Sequence, residues 1–87
     1  MTASELTLSR MAPVLARRGC ARSSLLRDIK AGLWTPPVKM GGTNTWPDHE
    51  TDALIAAGVA GASHEQRRKL VKELLDQRKA FLPASLS

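Results

Sequence analysis

The chain has no tyrosine, one phenylalanine and two tryptophans. Its core must therefore come mostly from Leu, Ile, Val, Met and Ala, a set that favours helices. Cys20 is the only cysteine, so no disulfide can form within the chain, and a reducing cytosol is the expected setting. No His or carboxylate is spaced to share a metal with Cys20, which reads as a small apolar filler in a turn. No apolar run approaches the ~20 residues of a transmembrane helix. The N-terminus lacks the apolar centre of a signal peptide. There is no internal repeat and no low-complexity tract. His49, His64 and Cys20 are scattered, without nucleophile–base pairing, metal spacing or a phosphate-cradling glycine loop. The expectation is a protein without catalysis, cofactor or metal. At 87 residues there is room for one small core and not for a deep cleft beside it.

Positive charge is what the chain has, and it is placed unevenly. The net charge is +5. Residues 1–46 carry Arg10, Arg17, Arg18, Arg22, Arg27, Lys30 and Lys39 against Glu5 and Asp28. Residues 47–87 carry Arg67, Arg68, Lys69, Lys72, Arg78 and Lys79 against six acids, and so balance. The excess sits in the N-terminal half, as it would for a polyanion docked on one face.

That half also holds the most organised stretch. Leu25 and Ile29, four apart, give one apolar stripe on a short helix from Arg22 to Ala31, while Arg22, Ser23, Arg27 and Lys30 point away from it. A first helix over about Ala12–Arg18 precedes it, with Pro13 in its first turn and Val14 and Leu15 facing inward. Gly19 stops that helix. Two short helices joined by a tight glycine turn make a helix-turn-helix, whose second helix can enter the DNA major groove. Gly32 ends the second helix, and Leu33 or Trp34 is expected to pack back on Leu25 and Ile29. Thr35-Pro36-Pro37 cannot be helical. Val38-Lys39-Met40, a turn at Gly41-Gly42-Thr43-Asn44, and Thr45-Trp46 predict a small hairpin beside the second helix.

Pro47 and Asp48 open a third helix, with Asp48, Glu50 and Asp52 favourable near its N-terminus and Leu54 and Ile55 buried. Gly58 to Ala62 breaks it. Ser63 and Gln66 match a capping box for a fourth helix running to about Lys79. Met1 to Glu5 is expected to be a frayed tail, and Leu6-Thr7-Leu8 a short extended lead-in.

Three pieces resemble one known family in order and spacing. They are Leu15-Ala16-Arg17-Arg18-Gly19-Cys20-Ala21-Arg22-Ser23-Ser24-Leu25-Leu26-Arg27-Asp28-Ile29-Lys30-Ala31-Gly32, then Pro36-Pro37-Val38-Lys39-Met40-Gly41-Gly42, then Trp46 with Glu50-Thr51-Asp52-Ala53-Leu54-Ile55. Together, over about residues 8–57, they resemble the AlpA-type regulators and phage excisionases, small winged helix-turn-helix proteins related to the MerR DNA-binding domain. The resemblance implies a mainly α fold with a small β-hairpin: a winged domain over 1–58, then a linker, C-terminal amphipathic helix and tail over 59–87. It implies a bacterial, cytoplasmic, nucleoid-associated protein. Its role would be excisionase, that is, recombination directionality factor, or else transcriptional regulator of mobile-element genes. Its partners would be double-stranded DNA at direct repeats near an attachment site or a promoter, and a tyrosine integrase. The chain departs from the family pattern in four places. Ala21 stands where the family has a helix-capping Ser, Leu26 where an aromatic is frequent, Asp28 where an apolar residue is often found, and Thr43 and Asn44 where the hairpin tip often carries Arg.

The expected DNA contacts are Arg22, Ser23, Ser24 and Arg27 at bases or phosphates, and Lys30, Lys39, Arg17, Arg18, Thr43 and Asn44 at phosphates. The stripe Leu70, Val71, Leu74 and Leu75 has two destinations: its own domain's core or a neighbouring protomer. With Phe81 and Leu82 it is the expected surface for head-to-tail self-association on DNA. A protein-only adaptor acting through the last helix is the remaining class.

Overall fold

The computed structural model describes residues 6–83 and 85. A short strand β1 (Leu8–Arg10) leads into α1 (Met11–Arg18) and α2 (Arg22–Lys30). The hairpin strands β2 (Val38–Met40) and β3 (Thr43–Pro47) come next, then α3 (Asp48–Val59) and α4 (His64–Ala80). Four helices and a three-stranded antiparallel sheet result, an arrangement compatible with a winged helix.

Local chemistry accounts for most boundaries. Gly19 takes the left-handed conformation at φ 70°, and its N–H returns to the Leu15 carbonyl, closing α1. The hairpin turn is Gly41-Gly42, at φ 59° and 83°, the two positive values a tight two-residue turn demands. The turn is thus shorter than the four residues expected from the sequence. Thr43 and Asn44 lie within β3, opposite Met40 and Lys39. The Ser63–Gln66 capping box is present in full: Ser63 Oγ accepts from the Gln66 N–H, and Gln66 Oε1 accepts from the Ser63 N–H.

β1 was not anticipated beyond an extended lead-in. It pairs with β3, so that β3 is the central strand in the order β1-β3-β2. The hairpin therefore supplies one edge strand, β2, and the central strand, β3. Thr7 and Ser9 donate hydroxyl hydrogen bonds to the Asp48 carboxylate, and the Asp48 N–H bonds the Thr7 carbonyl, which fixes β1 to the start of α3. Met1–Glu5, expected as a tail, lie outside the described residues.

One core joins the four helices and β3. Val14, Leu25, Trp34, Trp46, Leu54, Val71 and Leu74 form it, with Leu15, Cys20, Ile29, Ile55, Leu70 and Leu75 packed around it. The stripe on α4 folds back onto its own chain. Val71 and Leu74 are buried there and Leu70 and Leu75 half-buried, so these four are not a free self-association surface. Of the two destinations open to the α4 stripe, the structure thus shows its own domain's core.

Candidate nucleic-acid interface

At about 100° per residue, the nine positions of α2 divide cleanly into two arcs. Ser24, Leu25, Asp28 and Ile29 are buried or half-buried. Arg22, Leu26, Lys30, Ser23 and Arg27, in that order around the axis, are all exposed and span about 140°. Arg22 and Arg27 are thus the two edges of one outward face, with Leu26, Lys30 and Ser23 between them. Ser24, expected among the contacts, is turned inward and does not belong to this face. Leu26 does belong to it, at 45% exposed. Its position four residues after Arg22 and four before Lys30 was the signal that pointed to it.

Arg27 is the most open of these groups, its side chain 77% exposed, with Asp28 no closer than 4.0 Å. Among the described residues, Arg22, Lys30 and Lys39 take part in no ion pair. Lys39 and Asn44 are a cross-strand pair, so both project from the same face of the hairpin, and both are exposed. Thr43 is half-buried on the other face.

Arg17 and Arg18 are placed differently from expectation. Arg17 pairs with Asp52 of α3, both side chains largely in solvent. Such a pair contributes little and can exchange its partner. Arg18 is withdrawn: it bonds the Asp28 carboxylate, and its guanidinium lies 4.8 Å from the centre of the Trp34 ring. Its side chain is 19% exposed, so the expected phosphate contact is replaced by a structural role beneath α2.

Ala21 sits at the cap position of α2 with φ −79° and ψ 159° and supplies no side-chain cap. Neither Ser23 nor Ser24 compensates. The other end of α2 is held from α4, where Arg68 Nε donates to the Ala31 carbonyl at 3.1 Å. The segment before the hairpin is held by Trp46 Nε1, which donates to the Thr35 carbonyl at 2.9 Å. Arg78 Nη2 donates to the next carbonyl, Pro36, at 2.8 Å. One scaffold helix, α4, thus anchors both exposed basic elements.

Among the described residues, no group of three or more His, Cys, Asp or Glu side chains is placed to hold a metal. No helix among them is long and apolar enough to cross a membrane. Comparison with family models, curated proteins and solved structures finds no match.

Proposed function

We propose that the chain binds double-stranded DNA through the outward face of α2, with the β2–β3 hairpin as an accessory contact, in the manner of a winged helix-turn-helix. The observation that carries this reading is the outward arc itself. Three cations and a serine surround one leucine there, and every one of the five side chains is exposed. A helix about this long fits the major groove, where Arg can bridge guanine O6 and N7. Lys39 and Asn44 are suited to phosphate oxygens.

The role that fits best is that of an excisionase. Copies bind direct repeats near an attachment site, bend the DNA, and help a tyrosine integrase assemble the excisive complex. A module of this size buries only about 600–1,000 Å² on DNA, so several copies would be needed for tight occupancy. Self-association then draws on Phe81 and Leu82, which are 44% and 49% exposed, and not on the α4 stripe. A transcriptional regulator of mobile-element genes would use the same DNA face.

The test is an anisotropy titration of the full chain on duplex DNA across a salt series. If roughly five phosphates are neutralised, log affinity falls against log salt with a slope of about −4 to −5. A flat dependence, or no binding, removes the reading. Footprinting then separates the two roles, since protection of an attachment-site arm means excision and protection of a promoter means transcription.

A further inference from the structure

A half-open cavity of about 270 Å³ lies between the end of α1, the segment after α2, the outer half of α3 and the start of α4. Leu54, Ile55 and Val59 give it an apolar wall, and Arg18, Trp34 and Arg67 also line it. These last three carry a shared peculiarity. Arg18 Nη1, Trp34 Nε1 and Arg67 Nε are each enclosed and each without a hydrogen-bond partner. They are half of the six such side-chain atoms among the described residues, and all three are N–H donors. Trp34 is only 4% exposed.

Enclosed donors are ordinarily satisfied, because leaving one unpaired is costly. These three cannot satisfy one another, since neither guanidinium nor indole offers an acceptor. The Arg18 guanidinium lies over the Trp34 ring, 4.8 Å from its centre, and both residues line the cavity. Arg67 reaches across α3: its Nη2 is 3.7 Å from where a Cβ on Gly58 would be. Asp28 offsets the charge of Arg18 through the other terminal nitrogen, whereas Arg67 has no ion-pair partner among the described residues. The site therefore keeps net positive charge beside an apolar wall.

We propose that this cavity binds a small organic oxyanion, with a carboxylate or phosphate head on an apolar body about the size of one aromatic ring. The head takes the N–H groups of Arg18, Trp34 and Arg67, where charge-assisted bonds are strongest. The body lies against Leu54, Ile55 and Val59. The three nitrogens are covered in the free protein, so binding turns the two long arginine stems toward the cavity. Arg18 also holds Asp28 on the inner side of α2, which links occupancy to that helix. The site does not depend on DNA binding.

The experiment follows the two indole N–H resonances of the full chain by NMR, assigned with Trp34→Phe. Benzoate and phenyl phosphate are titrated at constant ionic strength, with benzamide as the uncharged control. The Trp46 indole is already bonded to the Thr35 carbonyl and should stay in place. The Trp34 signal should move downfield and saturate with benzoate, phenyl phosphate or both, whichever head the site accepts. Arg67→Met should weaken the fitted affinity about tenfold. Should that variant lose the signal dispersion of a folded chain, Arg67→Lys, which keeps stem and charge, takes its place with a smaller loss in the same direction. The proposal is overturned if neither anion moves the Trp34 signal saturably. It is overturned equally if benzamide acts as well as benzoate, or if the Arg67 variant binds like the wild type.

Discussion

Arg78 closes on Glu50 with two parallel hydrogen bonds, Nε to Oε2 at 2.8 Å and Nη2 to Oε1 at 2.7 Å, and the Glu50 side chain has no exposed surface. The pair ties α4 to the first turn of α3, and the remaining Arg78 bond reaches the Pro36 carbonyl before the hairpin. Removing one partner strands a charge in the interior. Arg78→Met should therefore destabilise the chain by about 3–5 kcal/mol, a large part of the stability of a small domain. The double replacement Glu50→Leu with Arg78→Met should cost clearly less, because no buried charge remains. Urea unfolding of the three proteins measures both effects. Equal losses for the single and double variants would show that the carboxylate is not buried as a charge.

The uncapped start of α2 gives a prediction of opposite sign. Ala21 already has the extended backbone of a cap residue and lacks only the oxygen. Ala21→Ser should add about 1 kcal/mol of stability by accepting a hydrogen bond from the N–H of Ser23 or Ser24. A higher urea midpoint with an unchanged slope is the expected result.

Asp48 sets a pH dependence. Hydrogen bonds from Ser9 and then Thr7 hold its carboxyl below the ordinary value, with a smaller contribution from Arg17, while partial burial opposes them. A carboxyl depressed on folding contributes stability that is fully present above its unfolded pKa of about 3.9. That stability is lost as pH falls through the lower folded value. The stability difference between wild type and Asp48→Asn should thus be constant above pH ~5 and shrink below pH ~4. Urea midpoints between pH 2.5 and 7 follow it. A difference that grows toward acid would contradict the assignment.

Where a residue's role depends on near neighbours in the chain, the sequence was enough to read it. Leu25 and Ile29 define the inner side of α2 through a four-residue spacing. Gly41-Gly42 marks the hairpin, and Ser63 with Gln66 marks the start of α4. What could not be read depends on partners far along the chain. Glu50 looks like a favourable acid in a first helical turn, and its burial follows only from Arg78, 28 residues on. Arg18 looks like a free phosphate ligand until Trp34 and Asp28 are seen around it. Ser24 looks equivalent to Ser23 in the sequence, although one step of helix turns it to the inner side. β1 is three residues long, too short to show an alternation, and exists because β3 and Asp48 receive it. The destination of the Leu70–Leu75 stripe was open because an amphipathic helix shows that it has an apolar side, not what will cover it.

The outward face of α2 is tested most directly by Arg27→Ala. A duplex is first selected from a random pool with the wild-type chain, then titrated by fluorescence anisotropy with wild type, Arg27→Ala and Lys72→Ala. The Arg27 side chain is 77% exposed, so the variant should unfold like the wild type. It should bind the selected duplex about 5- to 150-fold more weakly, the loss of one bidentate base contact. Lys72, exposed on α4, should change affinity less than twofold. Unchanged affinity for Arg27→Ala, or a wild-type chain that selects no duplex, would contradict the placement of DNA on this face.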